Sequence, residues 1–182
     1  MEHIEYEERV MITKRDYKKV IDDLLSQGYK CEPFTIENIY LDNKDFFIMK
    51  NGMMLRIRNT STGIHELTLK IRNDDGSHTE INETLDNHPL ISASLGDKFK
   101  EFKEIIRLNT VRIEVPIDDH LFVIDQNTYG NKTDYNIEVE ANSQKNAVNI
   151  AKKYCEKYKI TYKKSPSKSE RAFKEFKKGC HC

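Results

Sequence analysis

Apolar and polar residues alternate along much of the chain, which is the pattern of half-buried β-strands. The alternation is clearest in residues 53–59, 65–72 and 134–141, where Leu, Ile and Val take every second position. The complete set of predicted strands is 2–12, 29–41, 53–59, 65–72, 78–85, 107–116, 121–128 and 134–141. Eight strands without a repeated strand–helix unit predict an antiparallel α+β fold.

Helical periodicity interrupts these strands at several points. Thr13, with Asp16 three residues later, has the capping-box pattern of a helix N-terminus, and Gly28 ends the segment. The other predicted helical segments are 43–51 (a short helix or turn), 89–106, 143–159 and 166–178. No low-complexity linker separates these elements, so we expect residues 1–182 to form a single domain.

Turn dipeptides and short polar runs connect the predicted strands. The strongest is Asn73-Asp74-Asp75-Gly76, which is typical of a tight hairpin. The others are Asn51-Gly52, Ser61-Thr62-Gly63, Asp118-Asp119 and Tyr129-Gly130-Asn131. The sequence therefore predicts hairpins through most of the sheet.

Several strands carry charged residues of both signs on one face. These alternating sets are Glu5, Glu7 and Arg9; Arg56 and Arg58; Glu66, Lys70 and Arg72; Arg112 and Glu114; Glu138 and Glu140. In any single strand such a face is expected to meet water. Repeated across the sheet, and with helices that need an apolar surface to cover, it indicates a closed eight-stranded barrel with a charged interior.

Composition supports a mixed charged interior. Asp, Glu, Lys and Arg make up 33% of the chain against a usual ~25%, and thirty basic residues balance thirty acidic ones. The zero net charge and the lack of an aromatic–basic stripe argue against a nucleic-acid binder. Basic side chains bind phosphate oxygens, while carboxylates beside them require a hard cation such as Mg²⁺. A lumen with both indicates a metal and a polyphosphate.

Targeting signals and cysteine frameworks are absent from the sequence. No stretch approaches ~20 apolar residues, and the acidic N-terminus lacks a secretory h-region, so we expect a cytoplasmic protein without membrane contact. The four cysteines show no disulfide spacing. Cys180-His181-Cys182 has the elements of a soft-metal site but is interpreted as an incidental tail.

No nucleophilic triad or phosphate-binding loop is evident. The six histidines, His3, His65, His78, His88, His120 and His181, fall mostly in turns or near the ends and are interpreted as surface residues. Gly76 and Gly130 belong to turns, and no P-loop pattern is present.

Short motifs follow one another along nearly the whole chain. They are Glu5-Tyr6-Glu7-Glu8-Arg9, Tyr40-Leu41-Asp42, Leu55-Arg56-Ile57-Arg58, Leu67-Thr68-Leu69-Lys70, Thr110-Val111-Arg112, Glu138-Val139-Glu140 and Ser167-Lys168-Ser169-Glu170-Arg171-Ala172-Phe173. In order and residue type they resemble characteristic segments of the CYTH superfamily. Those segments are E-x-E-x-K, Y-x-D, L-R-I-R, L-T-x-K, T-x-R, a later acidic segment and K-x-x-R-[FY]. Class IV adenylate cyclases, thiamine triphosphatases and inorganic triphosphatases belong to this superfamily. The chain is most similar to the stand-alone CYTH proteins of low-GC Gram-positive bacteria.

The resemblance implies a triphosphate tunnel and assigns roles to residues. It implies that Mg²⁺ or Mn²⁺ is bound by Glu5, Glu7, Glu138 and Glu140, with Asp125 as a further acidic position. It implies that phosphates are bound by Arg56, Arg58, Lys70, Arg112, Lys168 and Arg171. Glu80 and Glu114 are further lumen positions, and Glu5, Glu7 and Arg9 are the implied catalytic residues.

Arg9 departs from the family pattern, which has Lys at this position. Arg keeps the charge but is bulkier and is not an equivalent point donor. The expected activity is metal-dependent hydrolysis of inorganic tripolyphosphate. Class IV cyclase activity, thiamine triphosphatase activity and a non-catalytic polyphosphate- or nucleotide-binding module are the alternatives. A small-molecule triphosphate is the expected partner, and a monomer or a homodimer the expected assembly.

Overall fold

The computed structural model describes residues 2–75 and 77–179 and contains a closed eight-stranded antiparallel barrel, with strand order β1-β5-β4-β3-β2-β6-β7-β8. The strands are β1 (Glu2–Ile12), β2 (Pro33–Asp42), β3 (Met53–Thr60), β4 (His65–Arg72), β5 (His78–Glu83), β6 (Lys103–Ile117), β7 (His120–Tyr129) and β8 (Lys132–Ala141). Gly76 of the predicted hairpin turn and the predicted Cys180-His181-Cys182 tail lie outside the described residues. The predicted α+β barrel is confirmed.

Pairing of β1 with two strands closes the barrel. Its first residues pair with β5, where Glu5 lies opposite His78, and the remainder pairs with β8 from Tyr6–Ala141 to Ile12–Tyr135. Because successive side chains in a strand point to opposite faces, one register fixes which residues of all eight strands face the lumen.

Five helices accompany the barrel within the described residues. They are α1 (Lys14–Ser26), α2 (Phe47–Lys50), α3 (Pro89–Leu95), α4 (Gln144–Tyr158) and α5 (Lys168–Gly179), and a 3₁₀ helix follows α3 over Gly96–Glu101. The predicted capping box of α1 is confirmed, since Thr13 and Asp16 exchange side-chain and backbone hydrogen bonds. Ser167 and Glu170 make the equivalent reciprocal bonds at the start of α5.

The outer face of the sheet is covered by two apolar clusters. One lies between helices α1 and α4 and the strands β1, β6, β7 and β8, with Val20, Leu24 and Tyr158 among its members. The other lies between α2, α3 and the strands β3, β4 and β5, with Ile48 and Ile91 at its centre. The alternation of the strands therefore sends apolar residues outward to the helices and polar residues inward.

Helix α5 packs against the inner face at one end of the barrel. Its Ala172 and Phe173 form a third cluster with Tyr40, Leu108 and Tyr129. These three strand residues alternate with the outward-facing ones, so they lie on the lumen side. The packing places the N-terminal turn of α5 beside the lumen.

Two predicted segment boundaries are wrong. Residues 89–106 were expected to be helical throughout, but the helix stops at Gly96 and Lys103 already begins β6. Gly96 adopts φ 57°, a left-handed conformation that ends α3, and the following 3₁₀ turn imitates helical spacing in Phe99 and Phe102. The second strand was expected from residue 29, but β2 starts at Pro33.

Asp42 organises the turn between β2 and β3. Its fully buried carboxylate accepts backbone N–H bonds from Asn43 (2.8 Å), Ile48 (2.9 Å) and Met49 (3.1 Å). Short helices leave their first N–H groups unpaired, and this side chain supplies the missing acceptors. The Tyr40-Leu41-Asp42 segment therefore contributes Tyr40 to the lumen and Asp42 to local structure.

Candidate active site

A cavity of about 430 Å³ runs through the lumen, within the ~300–1,000 Å³ range of small-molecule sites. Most of the sequence-predicted site residues line it: Glu5, Glu7, Arg9, Arg56, Arg58, Lys70, Glu80, Arg112, Glu114, Glu138, Glu140 and Lys168. Asp125 and Arg171 do not line it. The charged faces of separate strands thus meet around one cavity.

Glu138 is the centre of the largest cluster of ion pairs. It accepts hydrogen bonds from Arg9 and from Arg112 at 2.9 Å, and it forms an ion pair with Lys168 at 3.0 Å. Burial raises the pKa of a carboxyl group, but these three cations outweigh that effect and hold the pKa of Glu138 well below its usual range. Glu138 is therefore ionised at neutral pH.

Lys70 is the centre of a second group of ion pairs, which Glu7 joins to the first through its contact with Arg9 at 2.9 Å. The ammonium of Lys70 pairs with Glu5, with Glu7 at 3.4 Å and with Glu80 at 3.6 Å. Against the effect of burial, Arg9 and Lys70 lower the pKa of Glu7 to about 2. Arg56 joins this cluster through Glu80 at 3.6 Å.

Arg58 and Glu140 have no such partners. Arg58 forms no ion pair with any residue that the structure describes and only a long bond, 3.4 Å, to Asn38 Oδ1. Burial and the nearby Arg56 lower its pKa to about 10. Glu140 likewise lacks a Lys or Arg partner within the described part of the chain, and burial together with Glu5 raises its pKa to about 7. The cavity therefore has surplus positive charge at one place and surplus negative charge at another.

Asp125 and Arg171 lie behind the cavity wall. Asp125 is fully buried and binds Arg112 through both oxygens (2.9 and 3.0 Å) and Lys168 at 2.6 Å. The guanidinium of Arg171 binds Asp134 (3.0 and 3.2 Å) and Asn136 (3.0 Å). Each is thus engaged by protein groups, and Asp125 supports two of the cavity-lining cations, Arg112 and Lys168.

Sequence reasoning missed several cavity residues, among them His78 and Tyr40, whereas it had already placed Arg72 on the charged face of its strand. His78, Arg72 and Tyr40 line the cavity, so the interpretation of His78 as a surface residue is wrong. His120 is also mostly buried, with its side chain 8% exposed. The two-residue spacing of His78 from Glu80 was the available signal, since it places both residues on one strand face.

The donor chemistry of the cavity fits a hard divalent cation. Glu5, Glu7, Glu138 and Glu140 offer oxygen ligands, and burial together with the neighbouring Glu5 raises the pKa of Glu140. No three His, Cys, Asp or Glu side chains of residues 2–75 and 77–179 already converge as a metal site. Instead, Arg9 and Lys168 form ion pairs with Glu138, and Lys70 forms one with Glu5.

Comparisons with known proteins agree with this architecture. The sequence profile of the CYTH domain matches residues 3–173. YjbK of Bacillus subtilis (strain 168), described as a candidate triphosphatase, is 28% identical over 189 residues, which cover 97% of this chain and 98% of that protein. None of the described helices has the length and apolar character needed to cross a membrane.

Two solved structures have a similar fold. The crystal structure of a candidate adenylate cyclase from Bacillus halodurans has a TM-score of 0.80 at 23% identity, covering 94% of this chain and 98% of that chain. A candidate adenylyl cyclase from Hippeastrum, described as having a dominant triphosphatase activity, has a TM-score of 0.71 at 18% identity, covering 98% and 96%. At these identities the likeness establishes a shared fold.

Proposed function

The chain belongs to the CYTH domain family, and from that premise we propose that it hydrolyses a linear triphosphate, inorganic tripolyphosphate first of all, inside the charged barrel. A relative described as a triphosphatase supports the choice of reaction. The observation that carries the proposal is the separation of surplus charges around one cavity, where Arg58 and Glu140 form no ion pair with the residues that the structure describes. A polyanion with a divalent cation has the complementary arrangement.

In the proposed reaction the lumen residues exchange partners. Arg9, Lys70, Arg112 and Lys168, which pair with carboxylates in the structure, turn to phosphate oxygens. Arg58 needs no exchange, because it already lacks an ion-pair partner among the described residues. Charge-assisted hydrogen bonds from these groups hold the phosphates and stabilise the charge that develops on the departing diphosphate.

Glu5, Glu7 and Glu138, released by this exchange, would hold Mg²⁺ or Mn²⁺ together with Glu140, which has no Lys or Arg partner among the described residues. Such a cation, when bound, neutralises phosphate oxygens and favours attack by water. Asp125 and Arg171 act as positioning residues in this proposal: Asp125 orients Arg112 and Lys168, and Arg171 orients Asn136, which donates to Glu138 at 3.2 Å.

A panel of substrates tests the proposal. Phosphate release is measured from tripolyphosphate, ATP and thiamine triphosphate, with Mg²⁺, with Mn²⁺ and with chelator. We expect tripolyphosphate to be cleaved fastest and chelator to stop the reaction. Faster turnover of thiamine triphosphate, or conversion of ATP to a cyclic nucleotide, would favour one of the alternative activities. Tight tripolyphosphate binding without phosphate release would favour a binding module.

Substitutions at Arg9 separate a hydrolase from a binding module. Arg9→Lys restores the residue of the family pattern and is expected to keep or raise hydrolysis. Arg9→Ala is expected to weaken tripolyphosphate binding by roughly 1.5–3 kcal/mol, the scale of a hydrogen bond to a charged group. Calorimetric titration and phosphate release measure the two effects. If only Arg9→Lys releases phosphate, the natural protein is a binder.

The pKa of Glu140, raised to about 7, predicts pH-dependent metal binding. A raised carboxyl pKa stabilises the metal-free fold below the ordinary value, and this contribution is lost as the pH rises through about 7. A cation needs the ionised form, so Mn²⁺ affinity should rise about tenfold per pH unit below 7 and level off above it. Calorimetry between pH 6 and 8 measures this, and Glu140→Gln should abolish the dependence. An unchanged slope in Glu140→Gln would contradict the assignment.

A further inference from the structure

The outer surface formed by helices α1 and α4 and by the segment that follows α4 has a surplus of positive charge. Residues 14–26 and 144–164 hold eleven Lys and Arg against four Asp and Glu, whereas the rest of the chain holds nineteen against twenty-six. The zero net charge of the chain therefore divides into a basic part and an acidic remainder. The eleven basic side chains are all exposed, and we call them the basic face: Lys14, Arg15, Lys18, Lys19, Lys145, Lys152, Lys153, Lys157, Lys159, Lys163 and Lys164.

Contacts between the three segments join the basic face into one surface. Lys19 of α1 donates a hydrogen bond to the backbone carbonyl oxygen of Tyr158 at the end of α4, at 3.0 Å. Lys152 of α4 lies over the ring of Tyr162 in the following segment, 5.3 Å from the ring centroid. The four basic residues of α1, together with Asp22, line one surface depression. The charges of the basic face thus act together on a molecule that approaches it.

Few of these charges are neutralised within the protein. Among the residues that the structure describes, only two members of the basic face pair with a carboxylate: Lys157 with Asp23 at 2.7 Å and Lys164 with Glu8 at 3.6 Å. Lys159 adopts φ 57°, a left-handed conformation that favours glycine, so fold stability does not account for a lysine at this position. Neighbouring lysines repel one another, and a cluster of them with few carboxylate partners indicates a negatively charged partner outside the chain.

The side chains of the basic face argue against a nucleic acid as this partner. Ten of the eleven are lysines, whereas recognition of bases and phosphates favours the paired donors of arginine. Binding of single strands also uses exposed aromatic rings for base stacking. Here such rings pack inside the protein, since Tyr17 lies against Tyr135 at 5.1 Å and Tyr154 against Phe122 at 4.1 Å between ring centroids. Lysine ammonium groups fit the diffuse negative charge of a lipid headgroup layer better.

An exposed leucine lies beside the lysines of α1. Leu25 is 53% exposed and follows Lys18 by seven residues and Lys14 by eleven, which are about two and three helical turns. All three residues therefore share one side of the helix. Proteins that lie on a membrane surface have this arrangement, in which ammonium groups contact anionic headgroups and an apolar side chain enters the boundary with the acyl chains.

We propose that the basic face docks the protein on an anionic lipid bilayer, with Leu25 at the boundary between headgroups and acyl chains. The expectation of no membrane contact followed from the lack of a spanning segment, and docking of this kind needs none. Each lysine near an anionic surface strengthens binding about fivefold, so several together suffice although the chain has zero net charge. The lumen takes no part in this contact, so the inference is independent of the proposed function.

Sedimentation of the protein with vesicles tests the docking. We expect it to bind vesicles of phosphatidylglycerol and phosphatidylcholine in equal amounts, but not vesicles of phosphatidylcholine alone. Binding should fall steeply between about 0.1 M and about 1 M salt, as the screening length shortens from ~10 Å to ~3 Å. The double variant Lys14→Gln with Lys18→Gln should lower the partition coefficient about 25-fold. Its matched control, Lys44→Gln with Lys50→Gln, removes the same charge from exposed lysines at α2 and should lower it less than about twofold.

Two single substitutions make the assignment specific. Leu25→Ser should lower the partition coefficient about tenfold without changing its dependence on salt, because it removes apolar burial and no charge. Lys159→Gly should weaken binding about fivefold while it keeps or raises the melting temperature, since its φ favours glycine. Lack of binding to the anionic vesicles would overturn the proposal, also if the protein binds RNA instead. Equal losses in the α1 double variant and its control would overturn it too, because the charge would then act without a defined face.

Discussion

Glu7→Gln is expected to lower metal-dependent phosphate release from tripolyphosphate at least ~100-fold. Glu7 lines the cavity, its side chain is only 10% exposed, and Arg9 and Lys70, against burial, hold its pKa at about 2. The amide keeps the shape and one acceptor oxygen but removes the charge that a hard cation requires. A catalytic cation supplies several kcal/mol to the transition state, and each 1.36 kcal/mol is a factor of ten in rate. Glu5→Gln should behave similarly.

Melting temperature and a surface control make this test specific. Glu7→Gln should remain folded, at a melting temperature lower than that of the wild type because a carboxylate paired with Arg9 and Lys70 is lost, and Glu104→Gln, on an exposed stretch of β6, should keep full activity. Retained turnover in Glu5→Gln and Glu7→Gln at limiting metal would count against the metal assignment. If Glu7→Gln does not fold, Glu5→Gln takes its place in the measurement of phosphate release.

Asp125→Ala is expected to reduce the free energy of unfolding by about 3–5 kcal/mol. Asp125 is fully buried, and its removal leaves Arg112 and Lys168 without the carboxylate that each contacts within 3.0 Å. For a chain of 182 residues this corresponds to a melting temperature lower by roughly 6–20 °C. Asp125→Asn keeps the shape of the side chain and some of its hydrogen bonds, so it should reduce the free energy of unfolding by less. Asp119→Ala, on an exposed turn, should leave the melting temperature unchanged.

The same substitution should alter the acid sensitivity of the fold. Burial raises the pKa of Asp125, but Arg112 and Lys168 outweigh it and hold the pKa below its ordinary value. A depressed carboxyl pKa contributes stability at neutral pH that is lost as the pH falls through the folded value. The difference in stability between wild type and Asp125→Ala should therefore shrink on acidification. A difference that stays constant from pH 7 to pH 3 would contradict this.

Strand alternation made most of the fold predictable. Residues 65–72 were assigned to one strand with the boundaries that the structure has, because apolar and charged residues alternate there without interruption. The failure at residues 89–106 has a local cause: a helix, a 3₁₀ turn and a strand follow one another, and their apolar residues imitate one helix. The single-domain organisation, the oligomeric state and the cytoplasmic location stay predictions.

The site was predictable to the extent that side-chain direction follows from strand register. Glu138 and Glu140 share a face in any register, so their place in the cavity follows from the sequence. The depth of a residue along the barrel does not follow from the sequence, because it depends on how far the strands are staggered around the closed sheet. The stagger accounts for Asp125, which lies behind the wall, and for His78, which was assigned to the surface and lies within the cavity, whereas Arg171 is a residue of helix α5.

The seam that closes the barrel also sets the order in which the chain can fold. Residues 6–12 of β1 pair with β8, and Val10 also bridges to Lys164, so among the described residues they find no strand partner until Tyr135–Ala141 have left the ribosome. At ~5–20 residues per second this delay is on the order of ten seconds. An unpaired apolar strand would aggregate in that time, but Glu5, Glu7 and Arg9 place a charge on every second position. The residues proposed to bind metal and phosphate thus also protect the nascent strand from aggregation.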